Sequence, residues 1–326
     1  MATGDPGMSK TSLRIFLLIA AALFPLVLAG CKDRDRSKPG IAVIPKGTAF
    51  TFWQSVYAGA RAAGDEFGYQ IYFNGPERET DRERQIQIVE DFIVQKVDGI
   101  VLAPLDRKAL VPSVLKLARL KIPCVIIDSD IETDQFVTFA ATVNYQGGVL
   151  AARRMGEILS GKGKIVVLKY TQGSGSTTER ENGFIETIQK EFPGIQIVDT
   201  RYALDTVETA LQATEDLLTR NRDLQGLFAP NISSSVGALR ARLSQKRTEV
   251  KMVGFDAEKA LVEAVRAGQI DGLVVQNPYR MGYVGVKAVV DALKGRAVPK
   301  RIDTGVRVVT QANMEDPEIK DLLKSQ

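Results

Sequence analysis

The sequence contains no histidine and only two cysteines, Cys31 and Cys124. Histidine is the commonest general base in enzymes and the commonest protein ligand of metal ions, so its absence removes both roles. Two cysteines cannot supply a zinc cluster, and no GxxxxGK[ST] motif is present to cradle a nucleotide phosphate. We therefore expect no metal and no cofactor, and any catalysis would have to rely on carboxylates, lysine and arginine.

Neither sign of charge predominates in this sequence. The 43 lysine and arginine residues are nearly balanced by 39 aspartate and glutamate residues, and basic side chains are scattered among acidic ones. A nucleic-acid-binding surface requires clustered basic residues, so we expect no nucleic-acid partner. The 326 residues, 44% of them hydrophobic, suffice for one large domain or two medium-sized domains with proper cores.

A long hydrophobic run is confined to residues 15–29, where it follows Lys10 and Arg14 and is interrupted only by Pro25. Basic residues, a short apolar run and small residues after it are typical of a secretory signal peptide. A membrane-spanning anchor is the alternative, but a span needs about 20 apolar residues. The sequence therefore predicts a signal peptide over residues 1–30.

The hydrophobic run ends in the sequence LAGC at residues 28–31, which closely resembles the bacterial lipobox. That resemblance implies that Cys31 becomes a lipidated N-terminus, because several acyl chains anchor a protein stably where one does not. The charged stretch that follows contains no apolar residue and predicts a solvated tether over residues 31–38. The expected location is the periplasmic or extracytoplasmic face of a membrane. Cys124 lies in an apolar run and is predicted to be a buried core residue.

From Gly40 onward the sequence alternates short β-branched runs with longer amphipathic stretches that have helical spacing, such as residues 82–95. Nearly continuous apolar strands separated by helices predict parallel sheets that are covered on both faces. The strand candidates are residues 41–44, 69–73, 99–103, 124–128, 164–168, 195–198, 226–229, 251–255 and 272–276.

Two stretches share one pattern, VDGIVLAPLDRKAL at residues 97–110 and LQGLFAPNISSSVGAL at residues 224–239. Each has a polar pair, a glycine, an apolar strand, Ala-Pro and then a polar residue before a helix. A repeat of this kind predicts two lobes of like topology. Ligands of parallel sheets bind beyond the carboxyl ends of the strands, so polar residues just after strands are the candidate site. These residues are Lys46, Asp106, Asp128, Asn231, Asp256 and Gln276.

Eight segments, in order along the chain, resemble the periplasmic sugar-binding proteins of the ribose and galactose type, which share their fold with the effector domains of LacI-type repressors. The segments are FWQSVYAGARAAG (52–64), DGIVLAPLD (98–106), IPCVIIDSD (122–130), NYQGGVLAA (144–152), TTERENGF (177–184), LFAPNISSSVGALRA (227–241), MVGFDA (252–257) and DGLVVQNPYRMGYVGVKA (271–288).

This resemblance implies an α/β fold of two similar doubly wound parallel-sheet lobes. The lobes are expected to be joined by a hinge of three crossings, near residues 140–143, 276–278 and 303–306, with a ligand cleft between them. The predicted lobes are residues 39–141 with 277–303 and residues 142–276 with 304–326.

The resemblance also implies which aromatic side chains contact the ligand. Phe52 and Trp53 match an aromatic pair that sandwiches the sugar ring, and Phe255 matches an aromatic residue of the opposite lobe. Aromatic rings suit this role because they offer a large rigid apolar face to the C–H groups of a pyranose. The alternative is that one of the paired aromatic residues belongs to the core.

Five polar residues match hydrogen-bonding positions of the family: Asp128, Arg180, Asn231, Asp256 and Gln276. Sugar hydroxyls both donate and accept hydrogen bonds, so carboxylate, guanidinium and amide groups can each bind them. The alternative for the two aspartates and the asparagine is helix N-capping, because each follows a strand and precedes a turn or helix.

The sequence departs from the ribose and galactose pattern near the expected site. Phe50 and Thr51 replace an Asn-Pro pair, Ser129 replaces a frequent arginine, and Leu204 stands at an often aromatic position. Lys46 replaces a small polar residue and is expected to place a cation in the cleft. These changes put ribose in doubt and leave a pentose, a hexose, a sugar alcohol or a cyclitol open.

The function that the resemblance implies is a monomeric solute-binding lipoprotein, not an enzyme, that closes around a sugar or polyol and delivers it to the membrane permease of an ABC importer. A ligand sensor of the same fold, presenting its closed form to a membrane receptor, is the main alternative. A LacI-type regulator is disfavoured because an export signal stands where a DNA-binding helix-turn-helix would be. An exported glycosidase would need two facing carboxylates, which Asp128 and Asp256 could supply.

Overall fold

The computed structural model describes residues 1–3 and 38–324. The predicted signal peptide and tether fall almost entirely outside the described residues, and the predicted lipidation site Cys31 lies outside them. Residues 39–326 form one compact unit. Among the residues that are described, no helix combines the length and the apolar character that crossing a membrane requires.

The unit contains two six-stranded sheets. The first sheet is parallel throughout and has the strand order β11-β5-β4-β3-β1-β2. Its strands are β1 (Gly40–Ile44), β2 (Gln70–Phe73), β3 (Gly99–Leu102), β4 (Cys124–Ile127), β5 (Phe139–Ala141) and β11 (Arg301–Asp303).

The second sheet has the order β12-β10-β9-β8-β6-β7, and only its β10–β12 pair is antiparallel. Its strands are β6 (Lys162–Lys169), β7 (Gly194–Tyr202), β8 (Gly226–Phe228), β9 (Lys251–Phe255), β10 (Gly272–Gln276) and β12 (Val306–Val309). The corresponding strands of the two sheets follow one another in the same order, so the predicted fold of two similar α/β lobes is confirmed.

Ten helices cover the sheets within the described residues. Those of the first lobe are α1 (Thr51–Phe67), α2 (Arg82–Val94), α3 (Val111–Arg119) and α9 (Pro278–Leu293). Those of the second lobe are α4 (Asn144–Ile158), α5 (Gly175–Glu191), α6 (Val207–Arg220), α7 (Ile232–Ser244), α8 (Lys259–Arg266) and α10 (Pro317–Lys324).

The chain passes between the two sheets three times, after β5, after β10 and after β11. The connecting residues are 142–143, 277 and 304–305, each within a segment where a hinge crossing is expected. The assignment of residues 39–141 with 277–303 and of 142–276 with 304–326 as separately moving lobes remains a prediction.

Both sheets bury apolar side chains on both faces, as parallel sheets with flanking helices do. Neighbouring residues of one strand therefore belong to different parts of the hydrophobic core. Val43 packs beneath α1 and α9, whereas Ala42 and Ile44 pack on the opposite face of the sheet. Cys124 is 3% exposed, as predicted, and burial raises the pKa of its thiol to about 12. This cysteine is an inert core side chain.

Helices α4 and α5 pack very closely because each presents a glycine, Gly148 or Gly183, to the backbone of the other. A Cβ atom on Gly148 would lie 2.0 Å from the carbonyl oxygen of Arg180, and one on Gly183 would lie 2.2 Å from that of Tyr145. No side chain could be accommodated at either position without moving a helix. This crossing fixes the start of α5, and with it Arg180, against the second sheet.

Candidate binding site between the lobes

A cavity lies between the carboxyl ends of the two sheets, and its empty space, including the part open to solvent, is about 350 Å³. Eight of the nine predicted ligand-binding residues line it, and six further residues complete the wall. The eight are Lys46, Phe52, Trp53, Asp128, Arg180, Asn231, Asp256 and Gln276; the six are Phe50, Glu79, Tyr170, Ser176, Thr177 and Ile232.

Asp128 and Asp256 occupy equivalent places in the two lobes. Asp128 follows β4 and Asp256 follows β9, which hold the same position in their respective sheets. Both are buried, and both have left-handed backbone conformations, with φ values of 59° and 70°. A non-glycine residue in that region carries backbone strain, and such residues are concentrated at functional sites.

Asp128 is held as a carboxylate by a cation that is almost completely buried. The Lys46 Nζ lies 2.7 Å from Asp128 Oδ2 and donates a 2.9 Å hydrogen bond to Ser176 Oγ in the other lobe. Burial alone would raise the pKa of Asp128, but Lys46 and the nearby Arg180 hold it below its usual value. Lys46 thus connects the lobes as well as entering the cavity.

The pKa of Asp256 is shifted in the opposite direction. Burial raises the pKa of this carboxyl, and the positive charge of Arg180 and the hydrogen bond from Gln276 offset the rise only in part. Gln276 Nε2 donates to Asp256 Oδ1 over 2.7 Å. Asp256 is not the N-cap of α8, which begins after Glu258, but it accepts a hydrogen bond from the backbone amide of Ile232, the first residue of α7.

Arg180 is 2% exposed and is fixed by groups of the second lobe. Its Nε donates to Asn144 Oδ1 over 2.9 Å, and its Nη1 donates to the Pro230 carbonyl over 3.1 Å. Its Nη2 is buried, lies 3.9 Å from Asp128 Oδ1 and has no hydrogen-bond partner in the described part of the chain. A buried donor of this kind is costly unless a ligand or an ordered water satisfies it.

Phe255 does not line the cavity, so the expectation that it stacks on a sugar does not fit its position. Its ring is fully buried in the core of the second lobe, and the Arg180 guanidinium lies over it at 4.1 Å from the ring centroid. Phe255 is the last residue of β9, and Asp256 follows it in a left-handed backbone conformation. Asp256 reaches the cavity, and Phe255 supports Arg180 instead.

Phe52 and Trp53 both line the cavity and touch each other edge to face, with ring centroids 4.9 Å apart. The indole Nε1 of Trp53 donates a 2.6 Å hydrogen bond to Glu79 Oε1. The second oxygen of Glu79 accepts a 2.8 Å hydrogen bond from the Tyr170 hydroxyl of the opposite lobe. Burial raises the pKa of both Glu79 and Tyr170.

Asn231 caps a helix and also lines the cavity, which are the two positions that the sequence left open for it. It is the N-cap of α7, because its Oδ1 accepts a hydrogen bond from the Ser234 amide over 3.3 Å, and its Nδ2 donates to Ser233 Oγ over 3.0 Å. It also lines the cavity. Its contacts with α7 leave it less capacity for a ligand than Arg180 has.

The lobes also touch outside the cavity through three residues that we call the clasp: Arg78, Thr80 and Asp205. Asp205 of the second lobe is 4% exposed and accepts hydrogen bonds from Arg78 Nη2 at 2.7 Å, Arg78 Nε at 3.3 Å and Thr80 Oγ1 at 2.9 Å. Both donors belong to the first lobe. The carboxylate of Asp205 therefore has these partners only while the lobes are together.

Two doubly wound lobes enclosing a cavity of aromatic, carboxylate and guanidinium groups define a two-lobed protein that binds a small polar molecule. A model of the periplasmic binding protein domain matches residues 41–297, and the chain belongs to that family. Family membership places the protein on the periplasmic or extracytoplasmic side of the membrane.

Curated relatives cover almost the whole chain. The ribose import binding protein of Bacillus subtilis is 28% identical over 92% of this chain and 97% of its own length. The D-ribose/D-allose-binding protein of Pseudomonas aeruginosa is 27% identical over 93% of this chain and 98% of its own length.

Solved structures are also similar. A carbohydrate transporter solute-binding protein from Agrobacterium radiobacter in complex with D-arabinose is 36% identical, with a TM-score of 0.86 over 88% of this chain and 99% of that one. An ABC transporter solute-binding protein from Agrobacterium vitis with bound D-fucose is 40% identical, with a TM-score of 0.84 over 87% and 99%.

Proposed function

We propose that this protein captures a sugar or related polyol in the cavity and delivers it to an ABC importer. The observation that carries the proposal is the gap between Arg180 Nη2 and Asp128 Oδ1, which at 3.9 Å is too long for a direct hydrogen bond. A sugar hydroxyl can accept from the arginine and donate to the carboxylate at once. Hydrogen bonds to charged groups contribute about 1.5–3 kcal/mol each.

The remaining wall of the cavity suits the same class of ligand. Phe52 and Trp53 offer aromatic area to the apolar C–H face of a sugar ring, and Asp256 with Gln276 offers further polar groups on the opposite lobe. The relatives named for ribose, allose, arabinose and fucose support this ligand class.

A thermal-shift screen tests the proposed function. The purified protein is heated with D-ribose, D-allose, D-arabinose, D-fucose and a set of polyols. A sugar present at 100 times its Kd stabilises the folded state by about 2.7 kcal/mol, because it binds only that state. We expect at least one compound to raise the Tm by several degrees, with a dependence on concentration. A flat response across the whole panel contradicts the proposal.

We further propose that the ligand is enclosed by closure of the lobes about the three crossings, and that the closed form is what the permease recognises. The clasp supports this mechanism, since Arg78 and Thr80 bind Asp205 across the lobes without lining the cavity. The clasp stabilises the closed form and thereby slows the release of ligand.

Replacing Asp205 with alanine is expected to weaken sugar binding about tenfold, mainly through faster dissociation. Tenfold corresponds to about 1.4 kcal/mol, below the usual value of a charged hydrogen bond because the Arg78 side chain is 59% exposed and screened by water. Stopped-flow fluorescence of Trp53 measures the dissociation rate. The control is Asp216→Ala, which removes an aspartate paired with Arg201 inside the second lobe. Equal dissociation rates for the two variants contradict the role of the clasp.

The lipid anchor is a separate proposal that rests on the sequence at residues 28–31. Replacing Cys31 with serine is expected to abolish acylation completely, because the thiol that carries the lipid is gone. Mass spectrometry of membrane and soluble fractions measures the change. Cys124→Ser is the matched control, since that cysteine is buried in the first lobe and should leave acylation intact. An unmodified Cys31 in the native protein contradicts the proposal.

A further inference from the structure

The side chains that line the cavity carry more negative than positive charge. The cations are Lys46 and Arg180, whereas the carboxylates are Glu79, Asp128 and Asp256. Most of these charged side chains are buried between the two lobes, where charges are screened less than at the surface.

The two cations are already engaged by two of the carboxylates. Lys46 hydrogen-bonds Asp128 and Ser176, and Arg180 acts electrostatically on both Asp128 and Asp256. Neither cation forms a salt bridge with Glu79 among the described residues, although the charge of Lys46 acts on it.

Glu79 is bound by neutral donors instead. The Trp53 indole donates to one carboxylate oxygen and the Tyr170 hydroxyl to the other. An indole N–H can only donate, so the oxygen that receives it must be an acceptor. Two donors on two oxygens suit the ionised carboxylate, and they hold its charge against the aromatic wall of the cavity.

We propose that Glu79 is a specificity-determining residue that makes the cavity accept neutral or amino sugars and reject acidic sugars such as uronates and aldonates. This inference rests on the proposed function and names the class of ligand within it. A ligand carboxylate would enter a cavity with an unbalanced negative charge and be repelled, whereas neutral hydroxyls can hydrogen-bond to the same groups. Rejecting a competitor by an unfavourable contact is a common source of specificity.

Arg180 does not reverse this preference, even though its Nη2 lacks a partner. The guanidinium acts on two carboxylates, Asp128 and Asp256, so its positive charge is already balanced. What Nη2 lacks is an acceptor atom, which a neutral hydroxyl supplies without adding charge.

The test compares the wild type with Glu79→Gln against matched sugars. D-galactose, D-galactosamine and D-galacturonate form one set, D-glucose, D-glucosamine and D-glucuronate a second, and D-arabinose with D-arabinonate a third. Calorimetric competition measures the affinity ratio of each acid to its neutral parent. We expect the wild type to disfavour the acid by about 100-fold or more, and Glu79→Gln to reduce this ratio by at least about tenfold, as removal of one nearby charge implies.

Glu77→Gln is the matched control, because Glu77 is an exposed glutamate in the same loop and does not line the cavity. Glu77→Gln should keep the wild-type ratio of affinities for each acidic sugar and its neutral parent. The proposal is overturned if the wild type binds an acid within about threefold of its neutral parent, or if Glu79→Gln retains the wild-type ratio. The absence of binding by every neutral sugar is a different result, which removes the proposed function and this inference with it.

Discussion

Replacing Arg180 with alanine is expected to abolish detectable sugar binding while the protein remains folded. The guanidinium acts electrostatically on both Asp128 and Asp256, and its unpartnered Nη2 is the donor that a sugar hydroxyl satisfies. Truncating one partner of a buried charged hydrogen bond costs about 2–5 kcal/mol. From a micromolar Kd, near −8 kcal/mol, this loss takes the Kd to millimolar or weaker. Titration calorimetry measures it directly.

Arg153→Ala is the matched control for this variant. Arg153 also joins α4 to α5, through a 2.8 Å ion pair with Glu191, but it does so on the surface and away from the cavity. We expect this variant to bind sugar like the wild type and to melt at nearly the same temperature, since surface ion pairs contribute little. Wild-type affinity in Arg180→Ala would show that Arg180 serves the packing of α5 alone.

Replacing Asp256 with glycine is expected to remove binding while changing the Tm at pH 7 by no more than a few degrees in either direction. Asp256 adopts φ 70°, which costs an L-residue about 1–2 kcal/mol and costs glycine nothing. The gain is offset because glycine loses more conformational entropy on folding, about 0.5–1 kcal/mol, and because the Gln276 amide and the Ile232 N–H lose an acceptor. The loss of binding is about 2–5 kcal/mol, as for Arg180.

The raised pKa of Asp256 makes the Tm difference between Asp256→Gly and the wild type depend on pH. Because burial raises the pKa in the folded protein above 3.8, the folded state holds the proton more tightly than the unfolded chain. The ionised carboxyl therefore destabilises the protein at neutral pH, and this effect disappears as the pH falls below the unfolded value. We expect the Tm of Asp256→Gly to fall relative to that of the wild type in acid, which circular dichroism melts at several pH values measure.

Lys246→Gly is the control for the backbone effect. Lys246 is exposed and has φ 57°, so glycine relieves a similar strain there without touching the cavity. It should raise the Tm slightly and bind sugar normally. If Asp256→Gly melted many degrees lower and still bound its ligand, Asp256 would be a structural residue and the site assignment would be wrong.

The sequence predicts most of this fold because the buried parallel strands are almost continuously apolar. All nine strand candidates are strands in the structure, and their order yields two like lobes. The strands that the pattern does not predict are short: β5 is Phe-Ala-Ala, β11 is Arg-Ile-Asp, and β12 has four residues and is separated from β11 by only two. Their pairing depends on neighbouring strands, which a local pattern does not contain.

The binding site is only partly predictable, because a local sequence pattern locates the residues that follow strands but not those in loops. Polar residues that follow strands reach the cavity, as Lys46, Asp128 and Asp256 do, because parallel strands place their carboxyl ends at one edge. Glu79 belongs to a loop between β2 and α2 that carries no periodic signal. Its role emerges only when the other lobe brings Tyr170 to it.

A crystal structure of the protein with the sugar found by thermal shift would show where the ligand binds. We expect one sugar in the cavity between the lobes, with one hydroxyl oxygen within hydrogen-bond distance of both Arg180 Nη2 and Asp128 Oδ1, and with the ring against Phe52 or Trp53. A sugar bound outside this cavity, or bound inside it without contact to Arg180, would contradict the proposed binding site.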